Sequence, residues 1–403
     1  MRQFPIFLLV LLVGTGLGGC PVRLLGLEEP DPASDEAVTA SAQTEDSQGS
    51  DAGGETAPPT ELSFSGSMSG GGNYRLFALG PGRPGDEWTV RLTDPFAGPF
   101  VVVLFDDEQN LLMRTYMYPG NPLRHVLRAA TPRVQLGIMV PVSGRGGRYR
   151  LQARLKPGQA VPGPVPQVVW VNFAGGSDVQ VANYAPLSFP VFDAAVIGSA
   201  YAGHTQEMKD TIIAQMRADY AAYNVTILSS DETPPPAEPH SVVHFGGAEP
   251  GLLGLADEVD NYNQDPTQVA VVYVENFSLY ETMQLAPDEM AVMIANVASH
   301  ELGHLLGLYH TRDPDDVMDT TGSAWDLAAD QSFTRGALEA SVFATGWEDS
   351  PTLLSWIVGS NPQAAKSQMR ASTPKAAVYK LIRDFAEREI RCQCGTCLNP
   401  DGQ

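Results

Sequence analysis

Apolar positions along this chain change period several times, and each change marks a different kind of element. Between residues 61 and 157 they alternate with polar ones. Trp88, Val90 and Leu92 are spaced by two, and Tyr149, Leu151, Ala153 and Leu155 interleave with Arg148, Arg150, Gln152 and Arg154. Period-two patterning between Gly/Pro turns predicts half-buried antiparallel strands, hence an all-β sandwich over 61–157. The Pro/Gly-rich stretch 158–165 follows as a stiff, extended linker. Val168 to Phe173 is then an apolar, β-branched run of the kind a buried strand carries. Met208, Ile212, Ile213, Met216 and Tyr220 recur at helical spacing and predict a helix over 204–223. Short strands are expected at 225–228, 241–245 and 269–274, with a further one at 252–259. Pro287, Asp288 and Glu289 open a second helix, since proline suits a first turn and carboxylates complement its positive end. Residues 376–390 read as an amphipathic helix, with Val378, Leu381, Ile382 and Phe385 on one side.

Composition changes the picture at the two ends. Arg2 is followed by the apolar run Phe4 to Val13 and then by Leu17, Gly18, Gly19 and Cys20. Such a stretch is too short for a spanning helix and reads as an export signal over residues 1–19. The small residues before Cys20 are similar to a bacterial lipobox. That similarity implies fatty-acyl (palmitate) lipidation of Cys20, a membrane partner through the lipid, and a lipid-anchored protein at an outer membrane or cell surface. The alternative is an ordinary signal with an incidental cysteine. Residues 20–60 are dominated by Asp, Glu, Ser, Thr, Ala, Gly and Pro and read as a disordered acidic tether. The whole chain carries 25 basic against 47 acidic residues. This balance argues against nucleic acid as a partner. The C-terminal part, 351–403, holds Cys392, Cys394 and Cys397, where one local disulfide and one thiol are expected rather than a metal site.

Candidate chemistry is concentrated in the second helix, which runs into His300-Glu301-Leu302-Gly303-His304-Leu305-Leu306-Gly307-Leu308-Tyr309-His310. Residues four apart share a helix face, so His300 and His304 can hold one Zn²⁺ with Glu301 beside it. Gly307 permits the left-handed turn that brings His310 back as third ligand. Three neutral ligands leave a fourth position open, as in catalytic zinc sites. This H-E-x-x-H-x-x-G-x-x-H string, with Met318 in the Asp/Pro-rich turn that follows, resembles the metzincin clan of zinc endopeptidases. The resemblance spans 166–350. It implies an α/β catalytic domain (a twisted sheet plus the active-site helix), one Zn²⁺ per chain, Glu301 as general base, and Met318 as an apolar floor under the imidazoles. It also implies a protein or peptide substrate pairing with the edge strand at 252–259. The tyrosine that some members carry two residues after the methionine is here Thr320, to which no role falls. Trp325 and Phe333 lie where the clan builds its pocket wall, although core packing is the expectation for both.

Two alternatives from other classes stay open: a surface binding lipoprotein with a residual protease fold, and a zinc hydrolase of non-peptide amides. An intact Glu301 speaks against the first. Asp257, Asp260, Asn263 and Asp265 form an oxygen-rich loop that is a candidate Ca²⁺ site, although the EF-hand pattern is incomplete. His240 and His244 share a strand face without further ligands in view. The only cysteine ahead of the catalytic segment is Cys20, so no cysteine switch is expected; Asp106 or Asp107 would be the carboxylates able to play that part.

Overall fold

A computed structural model describes residues 61–93, 99–182 and 184–361. Cys20, the 20–60 segment, the 376–390 helix and the three C-terminal cysteines lie outside the described residues. The chain divides into two compact units. Among the described residues, one comprises 61–162 together with 338–347, and the other 163–337 with 348–361.

The first unit consists of two antiparallel sheets. Strands β1 (Glu61–Ser69), β2 (Tyr74–Gly82), β3 (Glu87–Leu92), β4 (Phe100–Phe105), β5 (Leu111–Met117), β6 (Leu123–Val126), β7 (Thr131–Met139) and β8 (Gly146–Lys156) pair in the orders β1-β8-β3-β6 and β2-β7-β4-β5. The alternation read in β8 is physical: Tyr149, Leu151, Ala153 and Leu155 are buried, while Arg148, Arg150 and Arg154 are exposed. Phe64 of the first sheet stacks on Phe77 of the second, and Tyr149 meets Phe100 edge-on. Strand β4 behaves differently. All six of its residues, Phe-Val-Val-Val-Leu-Phe, are buried, which demands cover on both faces of its sheet. Part of that cover comes from residues 338–347, distant in sequence. The Phe343 ring lies edge-on to Phe105 and Tyr74, at 5.5 and 5.6 Å between centroids. A side chain on Gly137 would collide with it. The buried Arg114 donates from Nε to the Val342 carbonyl at 2.9 Å, fixing this excursion to β5.

The second unit is α/β. Strands β9 (Gln167–Asn172), β12 (Val225–Ser229), β13 (Ser241–Phe245), β14 (Gly254–Ala256) and β15 (Val269–Val272) form a sheet of order β12-β9-β13-β15-β14. Four strands are parallel, and β14 is the antiparallel edge. A short ribbon of β10 (Gly176–Val179) and β11 (Leu187–Phe189) precedes them. Helix α1 (Thr205–Asp219) buries Met208, Ile212, Ile213 and Met216 in one core with α2 (Pro287–Leu305). Full burial stabilises by about 1.5–3 kcal/mol for each such side chain. The Tyr220 hydroxyl donates to the Ser299 carbonyl at 2.8 Å, joining the end of α1 to the middle of α2. Short helices α3 (Ala324–Leu327) and α4 (Ser350–Ile357) and strands β16 (Arg335–Ala337) and β17 (Trp347–Asp349) complete the described elements. The strand expected at 269–274 stops at Val272, and Val274–Met283 coils into 3₁₀ turns. Among the described residues no helix is long and apolar enough to cross a membrane.

Candidate metal centre

Helix α2 starts where its sequence says it should: Pro287 opens it, and the Glu289 carboxylate accepts from the Ala286 N–H at 2.9 Å. Its last two turns present His300 and His304, both buried. The helix ends in a Schellman turn, in which the Gly307 N–H donates to the His304 carbonyl and the Leu308 N–H to the Gly303 carbonyl, both at 2.9 Å. Gly307 has φ +98°, and a Cβ there would also press within 2.5 Å of the Asp260 carbonyl. Glycine is therefore required twice over. The chain that turns out of the helix brings His310 back, so that one ring nitrogen from each histidine lies within 4.8 Å of the others.

Two of the three rings are pre-aimed by the backbone. His300 Nδ1 donates to the Val317 carbonyl and His304 Nδ1 to the Leu308 carbonyl, both at 2.8 Å. Each bond leaves Nε2 as the lone-pair nitrogen and orients its ring. His304 Nε2 lies 2.9 Å from His310 Nε2, while His300 Nε2 is buried without a hydrogen-bond partner. Burial lowers the His300 pKa to about 4 and the His304 pKa to about 3, so both rings are neutral and able to ligate. Among the described residues these histidines are the one cluster of three or more such side chains near enough to share an ion.

Glu301 is wholly buried, and burial raises its carboxyl to about 8; Oε1 has no hydrogen-bond partner. A buried acid left so is costly without a cation beside it. The residues present thus fit a metal of the zinc type. Gly254 of β14 makes room for this carboxylate, because a Cβ at that position would lie 2.4 Å from Oε1. The Glu301 carboxylate and the sheet edge are therefore adjacent.

Beneath the histidines, the Asp319 N–H closes a turn onto the Asp316 carbonyl, with Val317 and Met318 at its centre. Met318 is fully buried, and its sulfur fills the space that a side chain on Gly303 would need. The buried Asp316 accepts from the Met318 N–H at 3.1 Å and from the Thr311 hydroxyl at 3.2 Å, tying the turn to the residue after His310. Burial lifts its carboxyl to about 6.

Residues 222–331 match the matrixin family. This segment is a matrixin-type metzincin domain. Family membership makes it a zinc metallopeptidase domain, with the three histidines as the group able to bind the metal. Among solved structures, the chain is similar to an archaemetzincin of Methanopyrus kandleri, at 14% identity over 51% of this chain and 99% of that one, with a TM-score of 0.25. It is also similar to Aeromonas hydrophila PliG, a periplasmic inhibitor of g-type lysozyme, at 12% identity over 26% and 93%, TM-score 0.21. No curated protein matches the chain in sequence.

Several residues outside the matrixin motif resolve differently from their sequence reading. Trp325 is 47% exposed, so it is not a core residue as expected; it stands on a one-turn helix with no apolar layer over it. Phe333 does pack inward, its ring 4.9 Å from that of Tyr220. The carboxylates of the candidate calcium loop accept from nearby N–H and hydroxyl groups, while Asn263 Oδ1 is buried without a partner. Asp257 accepts from the Ala182 and Val269 N–H groups, Asp260 from the Asp265 N–H, and Asp265 from Thr267. Asn263 donates to Gln167, and nothing in this arrangement supports calcium. His240 bonds the Glu238 carbonyl, whereas His244 is buried against Phe189 and within 3.0 Å of Asn172, with burial lowering its pKa to about 4. It is a core histidine. Asp106 accepts from the Glu108 and Asn110 N–H groups within its own turn, and Asp107 accepts from the Thr131 hydroxyl.

Sequence reasoning missed Glu348. It is fully buried, and its Oε1 accepts from the Tyr309 N–H at 2.8 Å, one residue before His310. Nothing in its spacing marks it, because 38 residues separate it from His310. Gly254 was equally silent, since its need arises only once Glu301 stands against β14.

Proposed function

We propose that this protein is a zinc endopeptidase that cleaves extended polypeptides outside the cytoplasm. In this reading His300, His304 and His310 hold the ion, and Glu301 is the general base. The observation that carries it is the pair of buried, unpartnered atoms, His300 Nε2 and Glu301 Oε1, next to a sheet edge. Zinc, when bound, supplies Lewis acidity at the scissile carbonyl and brings the pKa of water to about 7. Glu301 takes the water's proton and passes it to the leaving amine as the C–N bond breaks. His300 and His304 cannot share that proton, since their Nδ1–H groups are held by backbone carbonyls. In this reading a substrate strand pairs with the outer backbone of β14, the edge of the sheet, with its scissile bond beside Glu301. Met318 gives the histidines an apolar floor.

The N-terminal unit fits a β-sandwich with an accessory rather than a catalytic role. Export and acylation at Cys20 complete the proposal, and Cys20→Ser should move the protein from the membrane to the soluble fraction. A mature terminus elsewhere, without lipid by mass spectrometry, would contradict that part alone. Digestion of a peptide library tests the activity. Internal cleavages that vanish with chelator and return with Zn²⁺ are expected, and a library left intact by zinc-loaded protein would reject the reading.

A further inference from the structure

The outer face of the sheet β1-β8-β3-β6 is basic in a chain of net charge −22. The alternation that turns Trp88, Val90, Leu92, Tyr149 and Leu151 inward turns Arg91, Arg124, Arg148, Arg150, Arg154 and Lys156 outward, and all six are exposed. Strand pairing gathers them. Arg154 and Arg124 stand opposite Thr89 from its two sides, and Arg91 stands opposite Gln152. A depression of about 380 Å³ lies among Arg91, Arg124, Arg154 and Lys156, with Glu61 and Glu87 also on its wall, and a second of about 420 Å³ shares Arg91 and Arg124. Among the described residues none of the six is ion-paired; the ion pairs found are in the other unit. Six cations against Glu61 and Glu87, which stand opposite Arg154 and Lys156, leave the face with an excess of positive charge that favours an anion. The outward positions of these four strands carry no aromatic side chain, Tyr118 lining only the second depression, and the arginine fork matches carboxylates.

The complement is in the same chain. Residues 28–55 contain nine carboxylates and no lysine or arginine. They precede Glu61, the first residue of β1, the strand at the edge of this sheet, and Glu61 pairs with Arg154. We propose that the acidic segment 28–55 docks on this basic face. Glu55 lies six positions before Glu61, a reach of about 20 Å at ~3.3–3.6 Å per residue. Four strands spaced by about 4.8 Å span roughly 15 Å. Even the last acid can therefore cross the sheet. Covalent connection raises the segment to roughly millimolar effective concentration, enough for contacts that would be weak between separate molecules.

Lys156 gives a direct test, as it is the one lysine on the face. Zero-length carbodiimide coupling of the full chain at low salt should join a carboxylate of 28–55 to Lys156 within one molecule. The link should fade at about 0.5 M NaCl, where the Debye length falls to about 4 Å, and in the triple variant Arg91→Gln, Arg124→Gln, Arg154→Gln. Coupling of Lys156 only to Glu61 or Glu87, coupling between two chains, or a link indifferent to the triple variant would overturn the proposal. A second measurement uses a sulfated heparin oligosaccharide. Replacing the nine acids by Asn or Gln should tighten its binding by about tenfold or more, since an occupied face must first be vacated. Equal affinity before and after would show a face open to external polyanions and would equally overturn it.

Discussion

Gly254 and Glu301 are fitted to each other by one missing methyl group. A Cβ at 254 would sit 2.4 Å from Glu301 Oε1 and 2.6 Å from its Cγ, so Gly254→Ala must push the carboxylate or the edge strand aside. The three heavy atoms nearest that Cβ position all belong to Glu301 and not to a histidine, so zinc binding should survive. A displacement of about 1 Å at a reacting group costs on the order of 10²-fold in rate. The expected result is full zinc content with kcat/KM down by about that factor, measured on a cleaved library peptide; unchanged turnover would show that Glu301 does not need this position. Asp219 makes a separate prediction. Burial lifts its carboxyl to about 7, against 3.8 ordinarily, while Ser299 and Gln215 donate to it. The folded state therefore holds this proton longer than the unfolded chain does. Its contribution to stability is intact below about pH 4 and is lost as pH rises towards 7, at up to about 1.4 kcal/mol per pH unit. Asp219→Asn should remove that slope, which urea midpoints taken from pH 4.5 to 7.5 would reveal as a difference from wild type.

At the scale of elements, the readable parts of the chain were those where one periodicity ran uninterrupted. The strands at 167–172, 225–229 and 241–245 and both long helices stand within a few residues of their expected places, because each buries one continuous stripe. The histidine string was legible for the same reason, being local to one helix and its cap. The Glu348 carboxylate, the Gly254 clearance and the 3₁₀ turns at 274–283 were not, since each depends on a neighbour far away in sequence or on local crowding. Strand β4 shows both sides of this. Its six-residue apolar run signals burial on two faces, yet no pattern says that residues 338–347 contribute the cover. Phe343→Ala tests that contact. Removing a fully buried ring costs about 3–5 kcal/mol, so the first unit should melt earlier, with the midpoint followed by near-UV circular dichroism. An unshifted transition would mean that the ring does not carry that stability.

For the whole molecule, the excursion at 338–347 has a practical consequence. A chain beginning near Val165 would leave Leu338, Val342 and Phe343 without the β4, β5 and β7 strands they pack on, and should aggregate. The inhibitory or accessory nature of the N-terminal unit is better tested by cutting the linker at 158–165 in the intact protein. Asp106 and Asp107 are engaged within the first unit's own hydrogen bonds, so cleavage should leave turnover on a short peptide unchanged. A large gain would make that unit a pro-segment.

The most direct measurement of the central claim pairs metal content with turnover in the full chain and its Glu301→Gln variant. The amide is isosteric and touches none of the three ring nitrogens' hydrogen bonds, so one Zn²⁺ per chain should remain in both proteins. Loss of the general base should lower kcat by about 10²–10⁴-fold. Full zinc occupancy with undiminished turnover in the variant would contradict the account.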